Sequence, residues 1–300
     1  MPMIVDPSAP PVTPPERVTS PDGWLAALVD ERWAGVVLSY NAASPPGGGE
    51  AAPRAADIRK VRIERQDPGT AVPVPVRSGD AAWAIEGVGT AYDHEAPLGV
   101  AVIYSATPVY ADGSTGPASS LAVTVPAPEP GDDLDLWVKS LDEPGLSLRV
   151  VIVGWDSPSS AGRQDALDAA GSPYRVVAYD AHGAETVKVT VDVPPRDVDQ
   201  VRELLRSGVL LAQVRPAYLT RDAFFVPDDI TGPSPTGKLG SSGGYQFAFT
   251  IEPIDRPDTA AQPMRMPGWS YDTVAERFDS YESVAASYDS YASLSTDGIT

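Results

Sequence analysis

Leu98-Gly99-Val100-Ala101-Val102-Ile103-Tyr104 and Leu121-Ala122-Val123-Thr124-Val125 decide the fold. Both are runs of small and β-branched apolar residues of strand length. Asp112-Gly113 between them marks a tight reversal, because glycine takes the positive φ that such a turn needs. No helical spacing of apolar residues competes, so the two runs read as strands of an antiparallel sheet. Outward from them, Gly35-Val36-Val37-Leu38-Ser39-Tyr40 is a further strand, followed by the loose loop Ser44-Pro45-Pro46-Gly47-Gly48-Gly49. Asp57 to Arg65 alternates raggedly, with Ile58, Lys60, Arg62 and Glu64 on one face and Arg59, Val61, Ile63 and Arg65 on the other. Residues 23–127 are therefore predicted to form an antiparallel β-sandwich.

Pro126-Ala127-Pro128-Glu129-Pro130-Gly131 reads as a linker, and residues 132–255 as a second β domain with one helix. Pro194-Pro195 stops a strand, Asp197 stands as N-cap with Gln200 three residues on, and Gly208 can end the helix. Val198, Val201, Leu204 and Leu205 give that helix, 197–207, an apolar stripe. Tyr174 to Tyr179 and Thr186 to Val191 flank Ala181-His182-Gly183-Ala184 as a hairpin. Val209 to Val214 is another strand, and Tyr245, Phe247, Phe249 and Ile251 alternate on the buried face of the last one. The fold class is mainly β, all-β to α+β, with a sandwich followed by a sandwich or barrel carrying one flanking helix.

The ends differ from the middle. Residues 1–22 form a proline-rich arm of polyproline II character. Residues 256–300 begin as an extended strap and end in repeats: Ser270-Tyr271-Asp272-Thr273-Val274-Ala275, Ser280-Tyr281-Glu282-Ser283-Val284-Ala285 and Ser290-Tyr291-Ala292-Ser293-Leu294 recur every ten residues. Phe278 and Tyr288 each close a unit, followed by Asp and Ser. So few units bury no core of their own, so the rings need a surface from this chain or another. Each unit can open a two-turn helix, with Ser280 as cap and Tyr281 to Ser287 as body. One continuous helix is the alternative. Tyr271, Val274, Phe278, Tyr281, Val284, Tyr288, Tyr291 and Leu294 share a stripe, but their average spacing near 3.3 drifts around an ideal helix and favours broken pieces. Burying these rings with Trp269 is worth on the order of 20 kcal/mol before ordering and association costs. The predicted partner interface is Trp269, Tyr271, Phe278, Tyr281, Val284, Tyr288, Tyr291 and Leu294, docked either on this chain's second domain or on a neighbouring subunit.

Composition limits the partners. Lys and Arg number 22 against 41 Asp and Glu, a net charge of -19, so nucleic acid is not an expected partner. No apolar run approaches the roughly 20 residues that span a bilayer, so membrane insertion is not expected. The amino terminus Met1-Pro2-Met3-Ile4-Val5-Asp6 has neither a basic n-region nor an apolar h-region, and no secretory signal is expected. The absence of cysteine removes disulfide, thiolate and zinc-thiolate chemistry.

The remaining chemical signals are weak. Gly232-Pro233-Ser234-Pro235-Thr236-Gly237-Lys238-Leu239 imitates a phosphate loop but has Leu239 where Ser or Thr must hold magnesium, so it reads as a turn-rich loop. His94 and His182 fall in different predicted domains with no paired His, which argues against a metal site. Asp132, Asp133, Asp135, Asp228 and Asp229 lack the spacing of a calcium loop and read as solvated acids. No enzyme, cofactor or metal is expected.

Tyr92-Asp93-His94-Glu95-Ala96-Pro97-Leu98-Gly99-Val100-Ala101-Val102-Ile103-Tyr104, with Asp112-Gly113 and Gly116-Pro117-Ala118-Ser119-Ser120-Leu121-Ala122-Val123, resembles a fibronectin type III sandwich. More narrowly, it resembles the version in minor tail proteins of long-tailed phages of actinobacteria, with His94 where tyrosine is commoner there. The resemblance continues through Leu136-Trp137-Val138-Lys139, Pro144-Gly145-Leu146, Val201 to Gly208 and Ile251 to Pro257. It ends in the repeats, where Tyr281 and Tyr291 stand at positions the family often gives to Trp. It implies a tail-tube-like second domain and a distal-tail or baseplate subunit in the virion, made in the host cytoplasm. It also implies other tail subunits as partners and a homo-oligomer, trimer or hexamer, around the tail axis. A receptor- or glycan-binding tail adhesin is the alternative, with Trp83 as the candidate contact to a host cell-surface glycan.

Overall fold

A computed structural model describes residues 17–80, 87–128, 136–162, 164–168, 170–171, 173–216, 220–236, 243–267, 274–275, 277–288 and 294. The chain is mainly β. The first unit contains β1 (Arg17–Thr19), β2 (Leu25–Asp30), β3 (Gly35–Asn41), β4 (Ile58–Gln66), β5 (Val74–Pro75), β6 (Val88–Asp93), β7 (Ala101–Tyr110) and β8 (Ser119–Thr124). They form two four-stranded antiparallel sheets, β1-β2-β3-β6 and β5-β4-β7-β8. One core joins both sheets, with Leu25, Val36, Leu38 and Tyr40 from the first and Ile58, Ile63, Val102, Tyr104 and Leu121 from the second. In β8 burial alternates strictly, so Ser119, Leu121 and Val123 point inward while their neighbours face water. The reversal at Asp112-Gly113 is present, with Gly113 at φ 81.

Two sequence expectations change here. The ragged alternation of β4 arises from a bulge between Ile58 and Lys60. The extra residue lets Ile58, Val61 and Ile63 all enter the core, so Ile58 does not share a face with Lys60. The predicted amino-terminal arm ends as a strand, since β1 pairs with β2 from Arg17↔Leu28 to Thr19↔Ala26.

The second unit contains β9 (Leu136–Ser140), β10 (Leu148–Trp155), β11 (Ser159–Ser160), β12 (Gln164–Asp168), β13 (Arg175–Tyr179), β14 (Glu185–Val193), the helix α1 (Val198–Leu204), β15 (Leu210–Val214), β16 (Ala223–Phe225), β17 (Asp228–Pro235), β18 (Tyr245–Ile251) and β19 (Pro253–Ile254). The main sheet runs β17-β18-β14-β10-β9-β15-β16-β19. Its two ends are one hairpin: β16 continues into β17 through Val226-Pro227, β18 into β19 through Glu252, and Phe225↔Pro253 and Asp228↔Thr250 keep one register. The sheet therefore closes on itself as a barrel. Its interior takes Val189, Val191, Val193, Phe225, Phe247 and Phe249, and Val201, Leu204 and Leu205 of the α1 region join that core. Gly232 to Pro235, read from sequence as a turn-rich loop, lies within β17.

The helix starts differently from the predicted capping box. Asp197 sits at φ -102, ψ 0 after the 3-10 turn Pro195–Asp197, and its side chain caps nothing. An extended N-cap backbone is what aims a carboxylate at the first turn, and it is missing. Gln200 instead donates from Nε2 to the Leu146 carbonyl at 3.0 Å.

The hairpin expected around Ala181 to Ala184 is also displaced. β13 pairs with β12, from Gln164↔Tyr179 to Asp168↔Arg175, so the chain reverses between Asp168 and Arg175. There Gly171 takes φ 81 and Pro173 follows. Ala181 to Ala184 is an irregularity along the ribbon, where the Gly183 amide still donates to the Ala161 carbonyl at 3.0 Å. With Ile152↔Val191, Ser159↔Thr186 and Gln164↔Tyr179 in nearly one register, β10, β11 and β12 run opposite β13 and β14 as one long ribbon leaving the barrel.

After β19 the chain returns to the first unit. The Ser78 and Asp80 amides donate to the Thr259 and Ala260 carbonyls, both at 3.1 Å. Met264 and Met266 cover the outer face of the first sheet at Leu28, Val37 and Tyr92. No helix among the described residues is long and apolar enough to cross a membrane.

Candidate functional site

Of the eight predicted interface residues, Trp269, Tyr271 and Tyr291 lie outside the described residues. The helix α2 (Tyr281–Ser287) has the predicted bounds and the predicted cap. Ser280 accepts from the Ser283 amide, and the Ser283 hydroxyl completes a capping box. Phe278 and Tyr288, just outside the two ends of α2, meet edge to face with centroids 5.9 Å apart. Val284 and Leu294 are half-buried, while Tyr281 is 93% exposed. The segment thus pairs two of its rings with each other and leaves a third uncovered by its own chain.

A second uncovered apolar surface lies on the ribbon, where sequence periodicity gave no warning. Leu167 pairs with Val176 across β12 and β13, so the two share a face, and Tyr174 immediately precedes β13. Their exposures are 66%, 61% and 80%. A two-stranded ribbon in water is marginal alone, and these three large apolar side chains are left exposed on it instead of entering a core.

The junction between sandwich and barrel is the third concentration of chemistry, built on Tyr92 to Pro97. β6 ends at Asp93, and the chain turns there because the Glu95 amide donates to Asp93 Oδ1 at 2.9 Å. The same carboxylate takes two hydrogen bonds from Arg65, the shorter at 2.7 Å, and one from the Tyr104 hydroxyl at 2.8 Å. Burial alone raises a carboxyl, but the Arg65 guanidinium and these donors hold Asp93 below its ordinary value. Held in this way, the segment turns its main chain and the His94 side chain toward the barrel and the Glu95 side chain toward the strap.

The barrel answers with buried polar side chains. Lys139 of β9, with no exposed surface, donates from Nζ to the Ala34 carbonyl at 2.7 Å and the His94 carbonyl at 3.0 Å. Gln213 of β15 donates from Nε2 to the Ala96 carbonyl at 3.0 Å. His94 Nε2 lies 2.9 Å from Ser147 Oγ, and its ring stacks on Tyr92 with centroids 5.8 Å apart. Glu95 accepts from Arg256 at 2.6 Å, which joins the strap to the same knot. Arg77 donates to the Leu141 and Pro263 carbonyls, to Asp142 and to Gln262, tying sandwich, barrel and strap together. Burial brings the Lys139 ammonium down to about 7, and burial first, with Lys139 and Arg77 beside it, takes His94 well below its ordinary value. Burial raises Glu95, partly offset by Arg256.

The sequence singled out Tyr92 to Pro97 but not its partners, which are scattered from Arg65 to Arg256. One local signal was there: Lys139 follows the apolar run Leu136-Trp137-Val138 in a strand whose every residue is buried. Among the described residues no group of three or more His, Asp or Glu side chains is placed to hold a metal. His182 is exposed in the ribbon, and Trp83 and Asp132 to Asp135 lie outside the described residues. No protein-family model matches the chain, and no curated protein sequence matches it.

Proposed function

We propose that this chain is a structural subunit of a phage tail tip or baseplate, working through subunit interfaces around the tail axis as a trimer or hexamer. The observation that carries the reading is the ribbon that leaves the barrel with Leu167 and Val176 exposed as a cross-strand pair and Tyr174 exposed beside them. Apolar side chains held out on a projecting arm gain by reaching a neighbour, and the same arm on every copy generates a closed ring. Further support comes from the sheet orders β1-β2-β3-β6 and β5-β4-β7-β8 and from the helix-flanked barrel, both compatible with a fibronectin type III-like sandwich and a tail-tube-like domain. Tyr281 adds a second contact at the carboxyl end, for another tail subunit. Several weak contacts per copy reinforce one another once the ring closes. The role is mechanical and calls for no catalytic group, cofactor, nucleic acid or membrane insertion.

The test is to purify intact particles made by the producing host and quantify the chain by mass spectrometry against a tail-tube protein. The proposal expects it in the particle at a copy number divisible by three. Particles that lack it, or a purified chain that binds cell-wall polysaccharide instead, overturn it.

A further inference from the structure

The buried groups at the junction have a consequence beyond holding two units together. Lys139 hydrogen-bonds two main-chain oxygens of the sandwich, and among the described residues its ammonium faces no carboxylate partner at hydrogen-bonding distance. His94 has one ring nitrogen on Ser147 and the other, Nδ1, buried with no hydrogen-bond partner among the described residues. A doubly protonated imidazole there lacks an acceptor for its second proton. Both groups lie at the contact itself, so parting the units is what hydrates them. The charged groups around them are Asp93, Glu95, Arg65 and Arg77 from the sandwich, Asp222 from the loop before β16, and Arg256 from the strap.

We propose that the junction is a proton-coupled latch, in which separation of sandwich and barrel takes up protons on Lys139 and His94, so that acidification from about pH 9 to 6 loosens it.

The sign follows from which state holds the proton. Lys139 sits at about 7 when closed and returns toward 10.5 when hydrated. Between those values the open junction binds one proton more than the closed one, and opening grows more favourable as pH falls, by about tenfold per unit. His94, lowered in the closed state, adds a second proton on opening below its ordinary 6.5. Glu95 and Asp222, both raised in the closed state, act in the opposite sense in more acid solution and set the lower end of the window. Asp93, lowered by Arg65, stays ionised throughout.

Amide hydrogen exchange on the full chain reads the latch. The Glu95 amide, buried on the sandwich side of the contact, and the Ser140 amide, held by Ser147 beside His94 on the barrel side, report the junction. Protection factors remove the intrinsic pH dependence of exchange. Those of the two reporters should fall by about tenfold per unit between pH 9 and 7.5, while amides of β14 inside the barrel change far less. Lys139→Met should flatten the profile in that range. His94→Gln should keep it and lose only the further fall below 6.5, which preserves a test if Lys139→Met does not fold. Flat reporters in the wild type, an equal fall in reporters and β14, or variants with the wild-type profile each overturn the latch.

Discussion

Lys139 Nζ donates to the main-chain oxygen of His94 at 3.0 Å, so a barrel strand is hydrogen-bonded to the segment that ends a sandwich strand. The bond is one of a set, with Gln213 on Ala96, Arg77 on Leu141 and Arg256 on Glu95, that fixes one orientation of the two units. Donors aimed at carbonyls are directional, unlike apolar contact, and a rotation of the units breaks several at once. A fixed orientation is what a ring subunit needs if its arms are to meet neighbours in register.

Removing either partner of the Arg65–Asp93 pair should be among the most damaging single changes. Both side chains are at most 5% exposed; Asp93→Ala leaves the Arg65 guanidinium with Asp67 alone, strips the Tyr104 hydroxyl and the Glu95 amide of their acceptor, and should cost about 3 kcal/mol in urea denaturation. Asp93 is lowered when folded, so its contribution is present above its ordinary value of 3.8 and disappears as pH falls through the folded value. A loss under about 1 kcal/mol at pH 7 contradicts this view of the pair.

The strap divides into two functional parts. A chain ending at Pro267 should unfold at the same urea concentration as the full chain. A chain ending at Asp255 loses the Gln262 and Pro263 acceptors of Arg77 and uncovers Leu28, Val37 and Tyr92. It should be less stable by about 2–4 kcal/mol. Equal stability of the two truncations contradicts the assignment of residues 256–266 to the sandwich.

On the ribbon, Leu167→Glu with Val176→Lys replaces an exposed apolar pair by opposite charges directly across the ladder. Stability of the isolated chain should change by no more than about 0.5 kcal/mol. Incorporation into particles, measured by mass spectrometry beside the wild type, should drop sharply. Full incorporation of the double variant removes the ribbon from the assembly interface.

At the carboxyl end the two kinds of ring should separate. Phe278→Ala loses its edge-to-face contact with Tyr288, worth about 0.5–1.5 kcal/mol, and nuclear magnetic resonance should show the α2 signals of the isolated chain shifting toward coil. Tyr281→Ala should leave the isolated chain unchanged and lower incorporation. A Tyr281→Ala chain that loses α2 on its own places that ring in a local contact.

Where a local rule decided the outcome, the sequence was readable. Asp112-Gly113 turned the chain, Val201 and Leu204 marked the buried face of α1, and Ser280 capped Tyr281 to Ser287. Gly171 and Gly183 are both turn signals in the sequence, and only the pairing of β12 with β13, a long-range fact, shows that the chain reverses near Gly171. The junction stayed hidden for a related reason. Asp93 meets Arg65, His94 meets Lys139 and Glu95 meets Arg256, and such pairings are created by the topology with no periodicity to mark them. The bulge in β4 shows the same limit at short range, since one inserted residue reversed which side chains share a face.

The most direct test of the account is an electron cryomicroscopy map of the intact particle at a resolution that shows side chains. The account predicts a ring of copies in which Leu167, Tyr174 and Val176 of each ribbon are covered by the adjacent copy and Tyr281 by another tail subunit. A map in which the ribbon and Tyr281 both stand in solvent contradicts it.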